Sequence, residues 1–130
     1  MVLGVGVDVV EVVRIQRALD RWGQAFLRRV YTPEELERAR GRDGTARLAA
    51  RFAAKEAVMK ALGSGWGRLR FCDIEIARDP SGWPQARLHG TAAQLADQEG
   101  VVAVHVSLSH TWAYAVAVAV AEGRREAGDR

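Results

Sequence analysis

The segment Arg51 to Gly65, RFAAKEAVMKALGSG, constrains this chain more than any other, because it reads as a helix whose periodicity does not account for its charges. At roughly 100° per residue, Leu48, Phe52, Met59 and Leu62 make one apolar stripe, while Ala46, Ala50, Ala53, Ala54, Ala57 and Ala61 cover the opposite side. A helix apolar nearly all round is a buried one, so the rest of the chain has to wrap it. Yet Lys55 falls inside the Leu/Phe/Met stripe, and Glu56 and Lys60, four residues apart, share one flank of it. Charged groups there are paired, metal-bound or turned to a cleft. An ordinary i,i+4 Glu/Lys pair on a solvated face is the competing explanation. Composition sharpens the question, since of 19 basic residues only Lys55 and Lys60 are lysines. An ammonium is a compact point charge suited to a phosphate oxygen or a small pocket, whereas a guanidinium suits planar, bidentate contacts.

Around that helix the patterns alternate. Valine-rich residues 2 to 10, interrupted by Gly4 and Gly6, predict a buried strand ending near Asp8. Asp8 then reads either as a turn or cap aspartate or as a metal or substrate ligand. Glu11 to Trp22 turns helical: Val12, Ile15, Leu19 and Trp22 form one face, Arg14, Arg17 and Arg21 the other, and Gly23 closes it. The basic face is either solvated or a docking surface for an acidic helix. A short helical stretch around Gln24 to Tyr31 precedes Thr32-Pro33-Glu34-Glu35, a capping box with proline at the first helical position. The central helix is expected over residues 44 to 62, with Gly63 after it and the glycine-rich Ser64-Gly65-Trp66-Gly67 beyond. Such a loop can bring backbone N–H groups to a phosphate, or can simply end a helix.

The second half reads as strands: Phe71 to Ala77 and Pro84 to His89 paired across an Asp79–Gly82 turn, a helix Thr91 to Gln98, then Val101 to Ser109 and Trp112 to Ala121 joined at His110-Thr111. His110 thus lies at a turn near Ser107 and Ser109. The sum is one α+β domain over residues 1–122, its antiparallel sheet wrapped around the central helix, with a frayed tail over 123–130. A single cysteine, Cys72, and no zinc-like spacing fit a reducing, cytoplasmic setting. The sequence shows neither a signal peptide nor a membrane span, so no membrane partner is expected. A net charge of +3 and a pI near 9.6 favour acidic partners: nucleic acid, phosphorylated metabolites or an acidic protein.

Three separated segments, GVGVDVVEV from Gly4, RFAAKEAVMKALGSG from Arg51 and VSLSHTWAYAVAV from Val106, together resemble the holo-acyl-carrier-protein synthases, the bacterial single-unit 4′-phosphopantetheinyl transferases. FLRRVYTPEELERA from Phe26 and DIEIARDPSGWP from Asp73 agree in order and spacing, so the resemblance spans most of the chain. It implies transfer of the phosphopantetheine arm of coenzyme A to a serine of apo acyl carrier protein in fatty acid biosynthesis. It implies Mg²⁺ held by Asp8 and Glu56, with Lys60 opposite the developing negative charge. Glu56, directly or through a metal-bound water, is the implied acceptor of the serine proton. Coenzyme A is expected against Lys60, Gly63, Ser64, Gly65, Pro84 and His110, and the acidic carrier against Arg14, Arg21 and Arg28. A homotrimer with sites between subunits is also implied. The competing class is an Arg-rich nucleic-acid-binding module without catalysis; it leaves Glu56 and both lysines on a buried helix unexplained.

Overall fold

The computed structural model describes residues 1–63 and 69–124. Its elements are β1 (Val2–Glu11), α1 (Val12–Trp22), α2 (Gln24–Val30), α3 (Pro33–Arg38), α4 (Gly44–Ala61), β2 (Ile74–Arg78), β3 (Pro84–Leu88), α5 (Gly90–Gln98), β4 (Val101–His110) and β5 (Tyr114–Gly123). The strands form a three-stranded antiparallel sheet, ordered β1-β5-β4, and a separate β2-β3 hairpin. Both pack on α4, as the all-round apolar surface of that helix requires. Ala115, Ala117, Ala119 and Ala121 of β5 are all buried against it, as are Ala50, Ala53, Ala54, Ala57 and Ala61 of the helix. No helix among the described residues is long and apolar enough to cross a membrane.

β1 lies closer still, and its glycines are the reason. A Cβ built on Gly4 would overlap the carbonyl oxygen of Ala61, and one on Gly6 would overlap that of Ala57 and come within 2.9 Å of Lys60 Cβ. Two strand residues advance roughly 6.7 Å and four helix residues about 6.0 Å, so the two periods nearly match. Continued by one step, the same register sets Asp8 beside the turn of α4 that carries Glu56. The glycines that look like interruptions in a valine strand are thus where strand and helix backbones touch.

The buried charge in the apolar stripe is a paired one. Lys55 and Glu35 are almost fully shielded from solvent. Lys55 Nζ donates to Glu35 Oε1 at 2.7 Å, to the Ile74 carbonyl at 2.7 Å and to the Phe71 carbonyl at 2.9 Å, using all three of its protons. Glu35 in turn accepts from the backbone N–H groups of Thr32 and Ile76, and the Thr32 hydroxyl closes the capping box. The network joins α3, α4 and β2, leaving neither charge unanswered.

Four expectations shift. Asp8 is mid-strand, paired with Ala117, because β1 continues three residues beyond it to Glu11. Trp22 is exposed rather than in the core face of α1, with the Arg21 guanidinium 5.0 Å over its ring. Phe71–Asp73 is a single 3₁₀ turn, held by its carbonyl contact with Lys55, rather than the start of a strand. Trp112 belongs to the β4–β5 turn, and β5 runs on to Gly123, whose N–H bonds to the Met1 carbonyl.

Gly6→Ala should therefore cost at least about 2 kcal/mol, the scale of overpacking against atoms that cannot give way. Chemical denaturation measures it, and a change under about 0.5 kcal/mol, the range of a neutral surface substitution, would mean that strand and helix do not touch there.

Candidate active site

α4 presents Glu56 and Lys60 on the flank that β1 crosses, and β1 places Asp8 over them. Lys60 Nζ donates to the Val7 carbonyl at 2.9 Å and lies 3.3 Å from Asp8 Oδ1. Its side chain is half exposed, whereas Asp8 and Glu56 are nearly covered. Asp8 Oδ2 and Glu56 Oε1 are buried with no hydrogen-bond partner among the described residues. Burial, and after it the negative charge of Asp8, pushes the Glu56 carboxyl up to about 7, with Arg14 and Lys60 pulling the other way.

Two buried carboxylates, each with an idle oxygen, make an electrostatically incomplete site. Hard oxygen donors with no soft ligand suit Mg²⁺, which takes one or two carboxylates and keeps positions for water and phosphate oxygens. The donor set therefore fits the expected metal. No group of three or more His, Cys, Asp or Glu side chains is gathered among the described residues, which is the set a protein-enclosed cation would need.

Two hollows border α4 elsewhere. A pocket of about 360 Å³ is lined by Arg38, Arg47, Arg51, Arg78, Ser109 and His110. Arg51 is buried, its Nε has no partner among the described residues, and burial lowers its pKa, with Arg78, Arg38 and Arg47 repelling it further despite Glu35. Four guanidiniums at such closeness call for a multiply charged anion. On the other side, Trp22, Phe26, Phe52 and Phe71 line a groove of about 330 Å³ rimmed by Arg14 and Arg29. The Arg14 guanidinium stands 5.6 Å over the Phe52 ring.

Asp8, Glu56 and Lys60 thus converge, and His110 joins the arginine pocket. That pocket is not with them: Arg51 and Glu56 are five residues apart, roughly 140° around the helix axis. Pro84 lines another groove beside β4. Arg14, Arg21 and Arg28 are exposed on α1 and α2. Gly63 sits after α4 with a left-handed φ of 73°, while Ser64 and Gly65 lie outside the described residues. Sequence reasoning did not find Arg38, Arg47, Arg51 and Arg78. They come from three elements, and only Arg47 and Arg51, four apart on α4, share a helical spacing.

The profile of the 4′-phosphopantetheinyl transferase superfamily matches residues 4–119. The chain is 52% identical over 122 residues to holo-[acyl-carrier-protein] synthase of Moorella thermoacetica, covering 92% of this chain and 94% of the relative. The crystal structure of the Neisseria meningitidis synthase superposes with a TM-score of 0.85 at 37% identity, covering 94% of this chain and 99% of that one. The Helicobacter pylori synthase in complex with coenzyme A gives a TM-score of 0.80 at 32% identity, covering 91% of this chain and 99% of that one.

The raised Glu56 pKa has a sign that can be tested without turnover. Folding moves it from 4.5 to about 7, so the folded chain holds the proton more tightly. That contribution is complete below the unfolded value and is lost as pH rises through the folded one. In metal-free protein at about pH 8, Glu56→Gln should raise the melting temperature, and at about pH 5 the gain should shrink. Millimolar Mg²⁺ should raise the melting temperature of the wild type but not of the variant. A variant less stable than wild type at the higher pH, by calorimetry, would contradict the buried carboxylate pair.

Proposed function

We infer from its place in the 4′-phosphopantetheinyl transferase superfamily, to which this chain belongs as one of the holo-[acyl-carrier-protein] synthases, that Asp8, Glu56 and Lys60 form its transfer site. The chain moves the 4′-phosphopantetheine arm of coenzyme A onto a serine of apo acyl carrier protein, releasing adenosine 3′,5′-bisphosphate, and so serves fatty acid biosynthesis. The observation that carries the site is the buried carboxylate pair with an idle oxygen on each side chain, next to a half-exposed lysine.

Asp8 and Glu56 would hold Mg²⁺, which when bound neutralises diphosphate charge and orients it for displacement. Among the described residues Lys60 has only a carbonyl and a carboxylate oxygen to leave, and its exposed ammonium can turn to a phosphate oxygen as charge develops there. Glu56, directly or through a water beside the metal it would hold, takes the proton of the acceptor serine. Backbone around Gly63, Ser64 and Gly65 and the ring of Pro84 complete the coenzyme A contacts. The arginine pocket with His110 takes a phosphate of the same ligand. Arg14, Arg21 and Arg28 face the acidic carrier and speed encounter more than chemistry. A cytoplasmic home suits the lone Cys72.

Assembly as a homotrimer is part of this reading. Val5, Val7, Val9, Val116 and Val118 form an exposed apolar sheet face, a large patch for a chain on its own. The arginine pocket and the carboxylate pair open on different sides of α4, so a ligand reaching both is served by two chains.

The deciding experiment is the intact mass of an apo carrier protein after incubation with this chain, coenzyme A and Mg²⁺: the wild type should add one phosphopantetheine. Asp8→Asn and Glu56→Gln should each lose more than about tenfold in rate, equal to about 1.4 kcal/mol, and Lys60→Arg should be strongly impaired because a planar group cannot reproduce the point charge. In the same assay a triple Arg14, Arg21 and Arg28→Ala variant should raise KM for the carrier, flatten its salt dependence and leave coenzyme A affinity intact. Turnover by Glu56→Gln near the wild-type rate would remove that residue from the site.

Shared sites make a separate expectation. Glu56→Gln chains and chains carrying Arg47→Ala with His110→Ala should each be inactive, yet regain activity when refolded together, because mixed assemblies rebuild one intact site. Mixtures as inactive as their parents would place the whole site within one chain.

A further inference from the structure

On the reading that coenzyme A is the donor, we propose that Trp83 is the base platform of this chain: its indole stacks on the adenine while the arginine pocket holds the phosphate of the same nucleotide. Two hollows adjoin along β4. The arginine pocket uses Leu108, Ser109 and His110, and a groove of about 490 Å³ uses Val102 to Val106. Val106 and Leu108 are two residues, roughly 7 Å, apart, the scale of a ribose phosphate. The β2–β3 hairpin walls both hollows, with Arg78 on the first and Trp83 and Pro84 on the second.

Trp83 is 71% exposed, on a turn that permits it little freedom. Asp79 Oδ1 accepts from the Trp83 N–H at 3.0 Å, the Ser81 N–H at 2.9 Å and the Ser81 hydroxyl at 2.6 Å, and the Asp79 N–H donates to the Trp83 carbonyl at 2.9 Å. Both backbone groups of Trp83 are thereby pinned, and the one carboxylate lining the groove, Asp79, turns its Oδ1 into the turn. Arg78 Nη1 donates to the Gly82 carbonyl at 2.7 Å, fastening the turn to the residue that lines the phosphate pocket. An exposed indole on a fixed turn beside clustered guanidiniums matches a ligand with one flat aromatic group and one dense anion, since stacking is indifferent to base edges while the charge is met next door.

The test uses full-length wild type, Trp83→Ala and Trp83→Phe with coenzyme A, adenosine 3′,5′-bisphosphate and the fluorescent etheno analogue of coenzyme A. Trp83→Ala should weaken both nucleotides roughly tenfold by calorimetry, equal to about 1.4 kcal/mol, and Trp83→Phe should recover most of it. KM for coenzyme A should rise while kcat stays within about twofold, the signature of lost uniform binding. Etheno fluorescence should be quenched on binding wild type and not on binding Trp83→Ala. Unchanged affinity in Trp83→Ala, or a changed sedimentation coefficient marking Trp83 as a contact between copies, would overturn the proposal. Wild type that fails to bind coenzyme A would overturn the transferase reading itself and this inference with it.

Discussion

Contact between the backbones of β1 and α4 is the constraint from which the rest of the structure follows. Side chains normally hold a strand and a helix about 10 Å apart; here Gly4 and Gly6 let the strand down onto the carbonyls of Ala61 and Ala57. Carboxylates two and three atoms from their Cα atoms cannot meet across an ordinary layer gap with Val-sized neighbours between them. Lowered onto the helix, Asp8 comes close enough for its charge to raise the pKa of Glu56. The same approach brings Lys60 under the Val7 carbonyl. The site is thus a product of missing Cβ atoms as much as of the charged groups themselves.

The two lysines show how one residue type divides between structure and chemistry. They stand five residues apart on one helix, and the rotation between them sends Lys55 inward and Lys60 to the rim. Lys55 meets a carboxylate and two carbonyls, a three-acceptor cup that an ammonium fills and a planar guanidinium would not. Removing one partner of such a pair leaves an uncompensated buried charge, which costs several kcal/mol even where the intact pair contributes little net stability. Lys60 has the opposite arrangement, a water-facing charge against an acidic pair short of positive charge. The first anchors the helix, and the second is free to follow a ligand.

Local signals carried most of the architecture into the sequence. The apolar girth of α4, the Thr32/Glu35 capping box and the Asp79–Gly82 turn are each short-range and each set by one physical rule, so the elements they mark stand where the pattern puts them. The carboxylate pair was legible as an anomaly, because Glu56 on an apolar helix lacks a reason of its own, while Asp8 alone stayed balanced between cap and ligand. Gly4 and Gly6 were visible and unreadable: a glycine in a strand marks a close approach without saying to what. Of the arginine pocket only His110 was legible, since Arg38, Arg78 and the Arg47/Arg51 pair of α4 reach it only through tertiary packing. Trp22 fitted the helical stripe of α1 and yet stays outside, because periodicity reports a face and not what covers it.

What covers the faces also bears on why the pieces of this site are spread around one helix. α4 is enclosed by sheet and hairpin, so only its ends and flanks reach solvent, and groups roughly 140° apart on it open to different sides of the chain. A single extended ligand with a diphosphate and a separate nucleotide phosphate cannot pass through the core that divides them. Carriage of both by one chain would need a path around the sheet edge, whereas a neighbouring copy seated on the exposed valine face could bring its own arginine pocket to the first chain's carboxylates. Under the proposed assembly the apolar sheet face and the divided site would have one explanation: burying the valines between copies and completing the site would be the same event, and the concentration of active sites would follow the concentration of assembled chains.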